Sequence, residues 1–399
     1  MPESSGSGRE DRGNKRRKKE SMELRKIELS PEYDEEDSEV YDEAPDARSF
    51  ERILQKSGRG SVAVILPRSW VDKGSLKVHD RIFLKWQQDG SLRLGSLKRT
   101  EGDNTIFVID ANHGKPPNCL GRSLISAYIE GYNAVKITTN TELTKDQHDD
   151  VLAHASKLIG LAVVGENINS IMIRCYLDPL KNDISQLFVR IYSLSSAMLR
   201  LSLDALVNSD MNAAERVKKL DGEVDKIYYL ILRQLFTAVR NPIIADSLHI
   251  DRPLNIVGDR AVAQLIEDIG DTCHNACTKI MAFEHSTGLA REVQPKAMEL
   301  SERLCQLYDR TFRAYSLSDY KAANLVIDDC RVFERAVEEF ERGSTDNGIS
   351  IQNYTLTSEF ELVARQCRSI AEIAFNRGIG QDSDSIRIEE KETPHTGAG

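Results

Sequence analysis

The chain of 399 residues lacks the long apolar runs of a membrane protein. No segment reaches the ~18 consecutive apolar residues that a spanning helix needs, so direct membrane insertion is not expected. The first residues carry charge without an apolar segment behind them, which predicts no secretory signal. The seven cysteines are odd in number and scattered through apolar helical patterns, which favours reduced thiols. These absences predict a cytoplasmic protein that reaches a membrane only through a partner.

Motifs of catalysis are also lacking. The chain contains no G-x-S-x-G, Walker loop or H-E-x-x-H, so it is not expected to be an enzyme. Cys273, His274 and Cys277 could contribute to a zinc site, but no second Cys/His pair has matching spacing, so the two cysteines are expected in the core. The net charge of −10 excludes a polycation that binds nucleic acid along its whole length, but it permits a local basic patch.

Three segments have little to bury. Residues 1–21 are rich in Gly, Ser and charge, and they are predicted to be a disordered tail, as are residues 381–399. Residues 30–47 form an acidic insert in which like charges repel one another. Ordered structure is therefore expected mainly between these segments.

Residues 22–98 contain the signals of a small β domain that holds the acidic insert. A turn at residues 56–61 (KSGRGS) precedes an apolar strand at residues 62–66, and Asp89-Gly90 is typical of a hairpin turn. Such a unit is too small to close a core alone, so it is expected to pair with a second copy.

This segment resembles the AbrB/SpoVT/MazE swapped-hairpin family. The resemblance rests on Leu66-Pro67, on Trp70 in a short helix, and on residues 76–80 (LKVHD), where His79 stands in place of the family's usual Gly. It implies an interleaved homodimer, and in many members DNA binding through basic residues. Carried over to this chain, the candidate DNA contacts are Lys56, Arg59, Arg68, Lys73 and Arg81. The alternative is that these residues only keep a small β domain soluble.

Residues 104–178 alternate in the order β-α-β-α-β-β, which predicts a small α/β module. It contains no phosphate-binding glycine loop and no catalytic cluster. We therefore expect a connector or a dimerisation domain.

Long helices follow from Asp183 onward. In residues 257–283, apolar side chains recur at alternating steps of four and three, which keeps one helix face against a partner. Beside that seam, Glu267 and Asp271 lie one turn apart, and Asp221 and Asp225 do the same on the preceding long helix. If the two helices pack together, the four carboxylates converge and require a cation such as Mg²⁺, Mn²⁺ or iron. The alternative is a solvated acidic surface that contacts partners.

The helical half resembles the PhoU family of proteins linked to phosphate uptake. Residues 267–271 (EDIGD) with Asn275 are similar to the family's signature helix, and residues 221–225 (DGEVD) to its "D-x-x-V-D". A similar helical pattern recurs in the later helix that contains Glu361 and residues 370–372 (IAE). This repetition predicts tandem three-helix units at residues 183–285 and 290–380. The resemblance implies a metal site at Asp221, Asp225, Glu267 and Asp271, and a degenerate or absent one in the second unit.

The predicted fold is mainly α, with two tandem three-helix PhoU-like bundles preceded by a small β swapped-hairpin domain and a small α/β module. This combination resembles an archaeal phosphate-uptake regulator. One hypothesis is a regulator whose dimeric AbrB-like domain binds DNA while the bundle senses metal or a partner. The other is an adaptor that docks on a phosphate transporter or signalling protein and uses the AbrB-like unit only to dimerise.

Overall fold

The computed structural model describes residues 51–57, 60–86, 90–96, 105–112, 118–178, 181, 183–248, 250, 252–282, 289–345 and 351–380. The chain divides into two compact units between residues 99 and 100. The predicted tails at 1–21 and 381–399 and the acidic insert at 30–47 lie outside the described residues, as does Arg59.

The first unit contains two separate antiparallel hairpins. Strand β1 (Gln55–Ser57) pairs with β2 (Ser61–Ala63), and β3 (Ile82–Trp86) pairs with β4 (Leu92–Ser96). Helix α1 (Arg68–Lys73) follows Pro67 and lies between the hairpins in the chain. No side chain of this unit that the structure describes is buried, and the exposed ones include apolar side chains such as Val62, Val78 and Trp86.

Two hydrogen bonds close the turn at residues 76–80, which contains His79. The Asp80 amide donates to the Lys77 carbonyl at 2.9 Å, and the Lys77 amide donates to Asp80 Oδ2 at 2.6 Å. His79 has a φ of 76°, in the left-handed region that favours glycine. His79 therefore occupies a backbone position that glycine adopts with less strain.

The second unit begins with a four-stranded sheet in the order β5-β6-β8-β7. Its strands are β5 (Ile106–Asp110), β6 (Ala134–Thr138), β7 (Leu161–Asn167) and β8 (Ser170–Cys175). Strands β5 and β6 are parallel because helix α2 (Cys119–Ile129) crosses between them, and the other pairs are antiparallel. Helix α3 (Lys145–Ala155) begins at a capping box formed by Thr144 and Gln147. This order of strands and helices is the predicted one.

The remainder of the second unit is helical. Its helices are α4 (Ile184–Asn208), α5 (Met211–Arg240), the short α6 (Pro242–Ser247), α7 (Pro253–Ala282), α8 (Gln294–Ser316), α9 (Tyr320–Thr345) and α10 (Ile351–Ile379). Asp183 and Asp210 cap α4 and α5 by accepting hydrogen bonds from backbone amides of the first turn. None of the described helices is long and apolar enough to cross a membrane.

One hydrophobic core joins the two three-helix repeats. Helices α4, α5 and α7 pack together, α8, α9 and α10 do the same, and α7 lies against α10 between the repeats. The predicted seam of α7 is confirmed from Val262 to Ile280, since every apolar residue assigned to it over that range is buried. Cys273 and Cys277 are buried in this core, as predicted.

Candidate metal centre

Three carboxylates converge where α5 packs against α7. Asp225 on α5 and Glu267 and Asp271 on α7 each offer an oxygen, and these oxygens lie within 4.8 Å of one another. Asp225 and Glu267 are partly buried, whereas Asp271 is exposed. The site is therefore open to solvent on the side of Asp271.

The three acids hold their protons more tightly than free carboxylic acids do. Burial, followed by the neighbouring carboxylates of Asp271, Asp268 and Asp225, raises the pKa of Glu267 to about 8. Burial and the nearby Asp221 also raise the pKa of Asp225 and of Asp271. Ionising all three carboxyl groups at once is unfavourable because the negative charges repel one another. A bound cation would offset this repulsion.

Two side chains, Gln264 and Lys157, contact the acids of the cluster. Gln264 Nε2 donates to Glu267 Oε2 at 2.7 Å and to Asp268 Oδ1 at 3.0 Å, which holds one oxygen of Glu267 in place. Lys157 Nζ lies 3.8 Å from Asp225 Oδ2 and supplies positive charge from the α/β module. All-oxygen ligation by carboxylates suits Mg²⁺, Mn²⁺ or iron. Burial and the repulsion between the carboxylates raise the pKa values of the three acids, and a bound cation would offset that repulsion.

The structure brings together three of the four residues predicted for a metal. Asp221 is not part of the group, and its Oδ2 lies 3.1 Å from His274 Nδ1 on α7. Neither Lys157 nor Gln264 was predicted from the sequence as part of the site. The four-residue step from Gln264 to Asp268 could have suggested the amide contact. No sequence signal linked Lys157 to Asp225, 68 positions later in the chain.

The second repeat pairs its acids with arginines instead. Asp329 Oδ2 lies 2.6 Å from Arg310, and Arg368 Nη1 donates to both carboxylate oxygens of Glu334, at 2.8 and 2.9 Å. Among the described residues of that repeat, no group of three acids meets the geometry found in the first repeat. An arginine guanidinium therefore lies beside each of these two carboxylates.

The basic residues predicted for DNA lie on the first unit. Lys56, Arg68 and Arg81 are exposed, and Arg68 lies 3.5 Å from Asp72 in its own helix. Lys73 is the last residue of α1, and Arg59 is outside the described residues.

The fold and this site define a mainly helical protein built from two three-helix repeats, with a carboxylate cluster on the first. The family model of the PhoU domain matches residues 188–280, which include α5 and the three acids. The matched segment is about a quarter of the chain.

Characterised relatives match a longer segment. The phosphate-specific transport system accessory proteins PhoU of Edwardsiella tarda and Serratia marcescens are each 31% identical to this chain over 152 residues. The aligned segment is 37% of this chain and 59% of each relative, so the chain spans about three fifths of the length of these proteins.

Two solved structures are also similar. One is the phosphate transport system regulatory protein PhoU from Streptococcus pneumoniae, with a TM-score of 0.37 and 13% identity over 49% of this chain and 89% of that one. The other is PhoU from Pseudomonas aeruginosa, with a TM-score of 0.34 and 11% identity over 49% of this chain and 92% of that one.

Proposed function

We propose that this protein regulates phosphate uptake without being an enzyme, and that the first helical repeat binds a divalent cation. The observation that carries the proposal is the coincidence of two findings in one segment. The residues that match the PhoU domain contain the three converging carboxylates. Relatives of this segment are accessory proteins of phosphate-specific transport.

Asp225, Glu267 and Asp271 would hold the cation. When bound, the cation supplies positive charge that neutralises the three carboxylates. Gln264 orients Glu267, and Lys157 partly neutralises Asp225 before binding. The partner in this proposal is a phosphate transporter or a signalling protein, which the bundle contacts from the cytoplasmic side.

The first unit is proposed to form a homodimer. Its described residues include exposed apolar side chains that the unit itself leaves uncovered, among them Val62, Val78 and Trp86. Covering such surfaces with a second copy removes apolar area from water, which contributes about 25 cal/mol per Å². The resemblance to swapped-hairpin dimers supports the same arrangement.

The dimer has two candidate roles. Exposed Lys56, Arg68 and Arg81 favour contact with DNA phosphates, so that the protein would also regulate transcription. The net charge of −10 favours the other role, in which the unit only dimerises and the protein acts as an adaptor.

Uptake of radiolabelled phosphate tests the first part of the proposal. Cells that lack the gene should take up phosphate at an altered rate when external phosphate is plentiful, and the wild-type gene should restore the normal rate. Asp225→Asn combined with Glu267→Gln should fail to restore it, whereas Asp328→Asn on the second repeat should succeed. Equal uptake with and without the gene would reject a role in phosphate regulation.

A DNA titration across a salt series separates the two roles of the dimer. Real phosphate contacts give a steep loss of affinity with salt, and each lost contact reduces the slope by about 1. Arg68→Gln with Arg81→Gln should therefore flatten the slope in the full-length protein. The matched control is Arg216→Gln with Arg331→Gln on the bundle. Weak binding that all three proteins share would favour the adaptor.

A further inference from the structure

A pocket lies between the two repeats, where α7 faces α10. Its volume is about 400 Å³, within the range of small-molecule sites. Helix α7 contributes Asn275, Thr278 and Lys279 to its wall, and α10 contributes Thr355 and Glu359. The pocket therefore has polar groups from both repeats and is formed only when the repeats are packed together.

Two polar atoms of this pocket are buried without a partner. The Glu359 side chain is 1% exposed, and its Oε2 has no hydrogen-bond partner among the described residues. Thr355, one helical turn earlier, is 2% exposed, and its Oγ1 likewise has none within the described part of the chain. Burying a polar atom without a hydrogen-bond partner is unfavourable, so two such atoms on one pocket wall indicate that another group completes them.

The other oxygen of Glu359 is already engaged. Ser202 Oγ lies in hydrogen-bond contact with Glu359 Oε1, and it also contacts the Leu199 carbonyl at 2.9 Å. One hydroxyl hydrogen cannot serve both acceptors, so Ser202 donates to one of them and, in the second case, accepts the proton of a neutral Glu359. When Glu359 is ionised, or neutral with its proton on Oε1, Oε2 is left as an acceptor. The Cys273 thiol is a second hydrogen-bond neighbour of this carboxyl group. The buried end of the pocket therefore suits a ligand that donates hydrogen bonds.

The outer end of the pocket has the opposite character. Lys279 is exposed and forms no ion pair with any described residue, and the neighbouring Thr278 is exposed as well. A ligand that matches both ends carries donors at its inner end and an acidic group at its outer end. An ammonium group provides three donors, and a carboxylate complements a lysine.

We propose that this pocket binds a small amino-carboxylic acid, with its ammonium group on Glu359 and Thr355 and its carboxylate on Lys279. The site differs from the carboxylate cluster in composition and takes an organic zwitterion rather than a metal. Because its walls come from both repeats, the ligand stabilises their packing by binding only the packed state. The inference does not depend on the proposed role in phosphate uptake.

Calorimetric titration of the full-length protein tests the proposal. The probes are glycine, β-alanine and 4-aminobutyrate, which carry the same two charges at increasing separation. At least one should bind with a stoichiometry of one, while butylamine and butyrate should bind at least about tenfold more weakly because each lacks one charge. If none of the three zwitterions binds up to ~10 mM, the pocket holds only water and the proposal is wrong.

Substitutions then locate the binding site. Lys279→Met and Thr355→Val should each weaken binding of the best probe severalfold, whereas Lys218→Met on an exposed face of α5 should leave it unchanged. Thr355→Val should keep the fold, because it removes a hydroxyl that has no described partner and preserves the side-chain shape. Glu359→Gln should also weaken binding, because it removes the negative charge opposite the ammonium. Unchanged affinity in both Lys279→Met and Thr355→Val would place the ligand elsewhere and overturn the assignment.

Discussion

The Lys157 ammonium lies 3.8 Å from the Asp225 carboxylate, so the segment that follows α3 in the α/β module reaches the acidic cluster of the helical bundle. The two residues belong to different layers of the second unit. Their contact gives the α/β module a direct electrostatic connection to the proposed cation site. A bound cation and Lys157 would therefore compete for the charge of Asp225.

Replacing Lys157 with methionine should strengthen cation binding. The change removes a positive charge that repels the metal, and at such distances one unit charge in a well-solvated setting contributes about 1 kcal/mol, or about fivefold in affinity. Mn²⁺ affinity measured by calorimetry checks the prediction. Lys145→Met, at the exposed start of α3, is the matched control. A lower affinity in Lys157→Met would instead show that the lysine holds Asp225 in its binding position.

The carboxylate cluster should make stability depend on pH when no metal is present. The pKa of Glu267 rises from its usual 4.5 to about 8 on folding, so the folded state binds the proton more tightly than the unfolded state does. That stabilisation is complete below about pH 4.5 and is lost as the pH rises to about 8. Urea unfolding in the presence of a chelator should therefore show a falling free energy of unfolding from pH 5 to pH 8.

Glu267→Gln separates this cause from others. The variant cannot ionise at that position, so its free energy of unfolding should exceed that of the wild type at pH 8 and should change less with pH. Added Mn²⁺ should stabilise the wild type at pH 8 and stabilise the variant much less. Glu215→Gln, an exposed acid on α5, should behave like the wild type. A pH profile shared by Glu267→Gln and the wild type would contradict the prediction.

Arg233 should be the main attachment of the α/β module to the bundle. This buried arginine of α5 donates to the carbonyl oxygens of Tyr128 and Tyr132 at 2.6 and 3.1 Å, and to Asn133 Oδ1 at 2.6 Å. It thereby satisfies acceptors at the carboxyl end of α2. Arg233→Met leaves them unpaired and should destabilise the protein by about 3 kcal/mol.

Two further variants test the geometry of this contact. Arg233→Lys keeps the charge but cannot reach several acceptors at once, so it should recover only a small part of the loss. Arg240→Met removes an exposed arginine that pairs with Glu130 at 3.0 Å, and it should cost less than about 1 kcal/mol. Urea unfolding and limited proteolysis of the module measure the effects. Equal losses in Arg233→Met and Arg240→Met would refute the assignment.

His79→Gly should stabilise the first unit. His79 has a φ of 76°, a conformation that costs a non-glycine residue about 1–2 kcal/mol. Glycine removes that strain, although it also adds flexibility to the unfolded chain, so a net gain of about 1 kcal/mol is expected. Slower hydrogen exchange at the Asp80 amide, which donates within this turn, measures the gain. His79→Asn should give a smaller gain, and faster exchange in His79→Gly would contradict the prediction.

Much of the architecture could be predicted from periodicity. The apolar seam of α7 and the β-α-β-α-β-β order of the α/β module are local patterns, and local patterns determine which face of an element is apolar. The convergence of Asp225 with Glu267 and Asp271 could also be anticipated, because four-residue steps place acids on one helix face and neighbouring long helices tend to pack. Asp221 did not join the group, because it lies beside His274.

The type and order of the elements, and the acids available to a cation, follow from local patterns in the sequence, because helix and strand periods place side chains on particular faces. The packing of the folded chain is what brings Lys157 to Asp225, joins Arg233 to α2, and buries Glu359 against Ser202 beside an open pocket. Each of these contacts joins residues far apart in the chain. These contacts depend on how whole elements pack against one another. The spacing of side chains within one element does not specify which element packs against it.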